Sequence, residues 1–113
     1  MRILVTGATG SIGRLVVDRL MESGTAQVRA LTTNPAKAAL PDGVEVVRGY
    51  VGKPETLGTA FDGVDKVYLA PVPGAVAEVV KRACDAGVQP IVDLAGAPYT
   101  SWNVVSVAVE SSG

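Results

Sequence analysis

Residues 5–14 read VTGATGSIGR, with glycines at positions 7, 10 and 13. The apolar run Ile3-Leu4-Val5 precedes them. Apolar residues at helical spacing follow, at Ile12, Leu15, Val16, Leu20 and Met21. A buried strand, a glycine-rich turn and a helix in that order tightly constrain the fold, because a helix returning over the strand it has just left makes a βαβ unit. Each glycine has its own reason to be there. Gly7 lets the chain turn at the strand end. Gly10, having no side chain, lets the backbone approach a pyrophosphate, and Gly13 lets the helix pack close to the sheet. Thr9, Ser11 and Ile12 would supply backbone N–H groups at the helix start, where the helix dipole favours an anion. The competing reading is a tight turn that holds nothing. The strand before and the helix after favour the phosphate loop.

The rest of the chain repeats the alternation. Strands are predicted over Arg2–Thr6, Gln27–Leu31, Val44–Arg48, Asp65–Ala70 and Pro90–Ala95. Helices are predicted over Ser11–Ser23, stopped by Gly24, and over Ala75–Ala86, stopped by Gly87, with Val76, Val79, Val80 and Ala83 on one face. Asn34-Pro35 reads as a helix start, Pro41-Asp42-Gly43 as a turn, and Lys53–Phe61 as a short helix with Pro54 at its start. Trp102–Glu110 has the composition of a strand, but the order of elements makes it a helix. Short apolar strands alternating with helices predict an α/β fold: a Rossmann-type, doubly wound parallel sheet of about five strands with helices on both faces. Its 113 residues suit a single domain, 1–113, and are too few for a complete two-part dehydrogenase.

Composition narrows the chemistry. Hydrophobic residues make up 48% and charged residues 19%, so a packed core is expected and disorder is not. The net charge is −1 with no basic stripe, which argues against nucleic acid as a partner. One cysteine, Cys84, and no histidine exclude an internal disulfide, a Cys/His zinc site and a histidine-based triad. No secretory signal is visible, and no apolar run approaches the ~20 residues that span a bilayer. The expectation is a cytoplasmic protein that does not enter a membrane.

The spacing G-x-x-G-x-x-G inside TGATGSIG resembles the short-chain dehydrogenase/reductase superfamily. The longer stretches MRILVTGATGSIGRLVVDRLMESG, VRALTTNPAKA, GVEVVRGY and GVDKVYLAPVPG resemble its NmrA-like atypical branch. The likeness runs from Met1 to about Leu94 and more loosely to Gly113. It implies an NAD(P)(H)-binding protein related to NAD(P)H-dependent oxidoreductases such as quinone reductases. The alternative that it implies is a non-catalytic redox sensor reporting cofactor state to a protein partner. It also implies that Ala70-Pro71-Val72-Pro73 lies beside the ribose and nicotinamide. By the same likeness SWNVVSVAVESSG matches the helix before a sixth strand, so that strand and the substrate-binding part would be missing. The apolar surface left uncovered would favour a homo-oligomer.

Cofactor choice turns on the end of the second strand. An acidic residue ~20 positions past the glycines holds the ribose 2′-hydroxyl in NAD-specific folds. That count lands on Thr33, and the segment from Val28 to Asn34 has no Asp or Glu. NADP and NAD both stay open, with the balance toward NADP. The family often has an arginine at the position of Thr33. Here Thr32, Thr33, Lys37 and Arg14 are the candidates for the phosphate, with Arg14 and Lys37 equally readable as solvated charges. The family's acidic residue after the third-strand glycine is replaced by Tyr50, which could stack on the adenine or close a strand end.

The superfamily's Tyr-x-x-x-Lys pair is absent. Tyr50 is followed at +4 by Pro54, Tyr68 by Val72 and Tyr99 by Asn103. Hydride transfer from the cofactor itself does not require that pair. Asp93 is read as a partnered structural carboxylate, Thr100 and Ser101 as helix-cap residues, and Cys84 as a core residue.

Overall fold

The structure, a computed structural model, describes residues 1–24, 26–70, 72, 74–88, 91–93 and 98–99. Five parallel strands form the sheet: β1 (Arg2–Val5), β2 (Gln27–Thr32), β3 (Glu45–Arg48), β4 (Lys66–Leu69) and β5 (Ile91–Asp93). A two-residue strand β6 (Pro98–Tyr99) adds antiparallel to β5, and the order is β3-β2-β1-β4-β5-β6. The chain therefore winds outward from β1 to β3, then crosses back to β4 on the other side of β1. The Rossmann-type expectation holds.

Alternation along each strand fills two cores. Ile3, Val5, Val28 and Ala30 face one side, with Val17 of helix α1 (Ser11–Ser23). Leu4, Leu31, Val67 and Leu69 face the other, with Val76, Val79, Val80 and Ala83 of helix α2 (Val76–Asp85). Each fully buried Val or Leu contributes roughly 1.5–3 kcal/mol relative to exposure. The two helices thus cover opposite faces, as a doubly wound sheet requires.

Four local expectations need correction. The buried stripe of α1 passes through Gly13 and Val17, with Val16, Leu20 and Met21 at its edges, whereas Ile12 and Leu15 are exposed. The contact at Gly13 sets the rotation of the helix, and Ile12 and Leu15 are turned outward as a result. The helix start at Asn34-Pro35 gives only a 3-10 turn, Pro35–Lys37, with no side-chain cap from Asn34; Ala39, at φ 48°, ends it. Lys53–Phe61 likewise gives one 3-10 turn, Pro54–Thr56, because Gly58 takes φ 46° and breaks the helical path. Cys84 is exposed, not in the core, since it falls off the edge of the 76-79-80-83 stripe. The helix predicted over 102–110 and residues Thr100 and Ser101 lie outside the described residues.

One buried charge braces the sheet. Arg29, mid-strand in β2, is 8% exposed. It donates to the Glu45 carboxylate at 2.8 Å and to the carbonyls of Ala60 and Asp62 at 2.7 and 2.8 Å. The guanidinium fork thereby ties β2 to β3 and to the turn that leads into β4.

Candidate functional site

The site lies where the winding reverses, at the carboxyl ends of β1 and β4. In open α/β sheets the two loops diverge there and leave a crevice. Thr6, fully buried at the end of β1, holds the two sides together: its hydroxyl accepts from the Ala70 amide at 2.7 Å and faces the Tyr68 carbonyl at 3.4 Å. Its own amide donates to the same carbonyl at 3.0 Å.

Gly7 follows at φ 59°, where a Cβ would come within 2.9 Å of the Ala70 Cβ. Only glycine accepts both the left-handed backbone and that approach. At Gly13 an added Cβ would run into the Gly7 carbonyl. Its smallness therefore lets the helix pack on its own loop, not on a strand as the sequence pattern implied. Gly10 differs from both. Its backbone is extended (φ −75°, ψ 166°), and a Cβ would meet only the Gly7 carbonyl oxygen, at 3.3 Å. Neither conformation nor crowding compels a glycine there as strongly as at the other two positions.

The start of α1 suits an anion. Gly10 is the N-cap of α1 and gives no side-chain cap, and no acidic residue stands in the first turn. The first-turn amides of a helix have no acceptor within it, so those of Ser11, Ile12 and Gly13 carry the positive end of the dipole outward. A cleft of about 210 Å³ adjoins the loop. Gly7, Thr9, Thr32, Thr33, Tyr50, Ala70 and Val72 line it, together with Leu31, Gly49 and Val51. A second hollow of about 360 Å³ shares Thr33, Gly49 and Tyr50 and adds Arg48, Lys53 and Thr56. The loop after β1, the end of β2, the turn after β3 and the loop after β4 thus converge on one continuous groove.

The chain matches the NAD(P)H-binding family over residues 7–103. It belongs to that family. One curated relative is the (4-alkanoyl-5-oxo-2,5-dihydrofuran-3-yl)methyl phosphate reductase of Streptomyces griseus, 42% identical over 96 residues, which are 81% of this chain and 33% of that protein. Another is quinone oxidoreductase 2 of Escherichia coli, 39% identical over 70 residues, which are 59% of this chain and 24% of that protein. Among solved structures, Citrobacter sp. triphenylmethane reductase complexed with NADP(H) superposes with a TM-score of 0.72 at 32% identity, covering 99% of this chain and 46% of that one. The structural neighbours fall in the NmrA-like, atypical short-chain dehydrogenase class, and the chain is an NAD(P)H-binding domain related to NAD(P)H-dependent oxidoreductases. It spans about a quarter to a third of the length of these curated relatives.

Not every residue singled out from the sequence reaches the groove. Lys37 lies exposed in its 3-10 turn and lines neither hollow. Arg14 pairs with Asp18 one helical turn away at 3.4 Å, and both are two-fifths exposed. Pro71 lies outside the described residues, and Asp93 is placed by its backbone, opposite Leu69 in the ladder. Conversely, the sequence reading passed over Thr6, Arg48, Lys53 and Thr56. A threonine ending an otherwise apolar strand immediately before the first glycine was a signal for Thr6. For Arg48 and Lys53 nothing local was: the β2–β3 register brings them to Thr33.

Among the described residues no helix is long and apolar enough to cross a membrane, and no cluster of His, Cys, Asp and Glu could hold a metal ion.

Proposed function

We propose that this domain is the cofactor-holding part of an NAD(P)H-dependent reductase, with the pyrophosphate seated on the Gly7–Gly13 loop. The observation that carries this reading is the start of α1: Gly10 leaves it without a side-chain cap or a first-turn acid, and the loop before it, at Gly7 and Thr9, lines the groove. Ser11, Ile12 and Gly13 would present their amides to the phosphates, with Thr9 beside them. Thr32 and Thr33 would face the adenosine ribose, Tyr50 the adenine, and Ala70 and Val72, with Pro71 between them, the nicotinamide half. Bound there, a reduced nicotinamide supplies a hydride. The protein's own contribution is to fix its position: Thr6 sets the distance between the two loops, and the apolar Val72 side shields one face from water.

NADP is the favoured cofactor in this proposal. Among the described residues no carboxylate lines either hollow, so none of them repels a 2′-phosphate there or preferentially accepts a ribose hydroxyl. The acceptor favoured in this proposal is a quinone or another conjugated, electron-poor carbon skeleton, in which the electron pair of the hydride spreads over the ring or onto a conjugated oxygen. The names of the relatives denote acceptors of this unsaturated kind. Turnover is the test. NADPH oxidation that depends on an added quinone supports the reading. A folded domain that binds neither NADPH nor NADH would contradict it.

A further inference from the structure

We propose that Arg48 and Lys53 form the 2′-phosphate subsite of this protein, replacing a cation on β2. The proposal rests on the dinucleotide reading above. Thr33 stands where the ribose 2′ position is read in this type of fold, about 20 residues past Gly13, and it offers only a hydroxyl. The charge comes from the next strand. Arg48 ends β3 directly opposite Thr32 in the parallel ladder, and the Gly49 amide donates to the Thr32 carbonyl at 3.0 Å. Neighbouring strands lie roughly 4.8 Å apart, so the Arg48 backbone is one strand spacing from the end of β2.

Lys53 is brought back to the same place by a pinned turn. Its amide donates to the Tyr50 carbonyl at 3.0 Å. The Thr56 hydroxyl accepts from the Tyr50 amide at 2.9 Å and lies 2.7 Å from the Lys53 carbonyl. The resulting hollow is lined by Thr33, Arg48, Tyr50 and Lys53, and among the described residues no carboxylate lines it. Among the described residues neither Arg48 nor Lys53 is in an ion pair, unlike Arg14, Arg29 and Arg82. Two cations without counter-ions, converging with a hydroxyl on a hollow next to the ribose position, have the chemistry of a phosphomonoester site.

The experiment is calorimetric titration of the wild type, Arg48→Ala, Lys53→Ala and the double variant with NADPH and NADH in parallel. The wild type should prefer NADPH. Each single substitution should lower the NADPH-to-NADH affinity ratio about fivefold, as expected for partly screened charge–phosphate contacts. The double variant should have lost the preference, and the exchanged pair Arg48→Lys/Lys53→Arg should retain it. Thermal melts establish that each variant is folded. The wild type should also bind 2′,5′-ADP more tightly than 5′-AMP, which tests the subsite without any substitution. An unchanged ratio in a folded double variant, or a wild type without preference, overturns the proposal. A wild type that binds neither dinucleotide overturns the dinucleotide reading itself.

Discussion

Gly10 and Gly13 separate what the fold needs from what a ligand needs. Gly13→Ala puts a methyl group onto the Gly7 carbonyl, and both backbone segments would have to move. The expected loss is about 2–3 kcal/mol, a fall in melting temperature of roughly 10 °C or more. Gly10→Ala meets a single oxygen at 3.3 Å, and its melt should fall by only a few degrees. Its affinity for NADPH should drop at least about tenfold, because the methyl group occupies the approach of the pyrophosphate. Calorimetry and a thermal melt on the two variants check both statements. A Gly10→Ala variant that binds as the wild type does would place the phosphates elsewhere. Thr6→Val should cost about 1–3 kcal/mol, since the half-buried Ala70 amide loses its acceptor, and Thr6→Ser should restore most of it. The glycines were legible in the sequence because their demands are local. Thr6 was not, because its partner Ala70 lies 64 residues away.

At the scale of elements, α1 was legible to its boundaries: a loop glycine precedes Ser11, and Gly24 takes the left-handed conformation after Ser23. The five parallel strands were legible because each is a short apolar run between turn residues. The two proline-initiated segments were read as longer helices than they are. Proline at a first helical position starts a turn, but propagation needs the following residues to continue it, and Ala39 and Gly58 do not. Ala39 has a positive φ with a side chain, so Ala39→Gly should stabilise the protein by about 0.5–1 kcal/mol in a denaturant melt. An unchanged or lower midpoint would contradict that backbone conformation. Arg29→Met should destabilise by about 2–4 kcal/mol, leaving two carbonyls and Glu45 without their donor. Arg29 lies mid-strand and lines neither hollow, so NADPH affinity measured on the folded fraction should be unchanged.

At the scale of the molecule, the strand order β3-β2-β1-β4-β5 makes the crevice inevitable once β1 carries the glycine loop. This much follows from alternating strands and helices with right-handed crossovers. What sequence spacing could not supply was the lateral register of β2 and β3, which brings Arg48 level with Thr32 and, with Lys53, places two cations along the hollow beside Thr33. In the proposed function the groove would hold and orient a dinucleotide, and the acceptor would be met at its nicotinamide end, beside Ala70 and Val72.

The central claim is that the Gly7–Gly13 loop, at the reversal of the sheet, seats the pyrophosphate of a nicotinamide dinucleotide. Calorimetric titration of the folded protein with NADPH tests it most directly. The account predicts saturable one-to-one binding in the micromolar range. A protein that melts cooperatively yet gives no binding heat with NADPH or NADH up to millimolar concentration would contradict it.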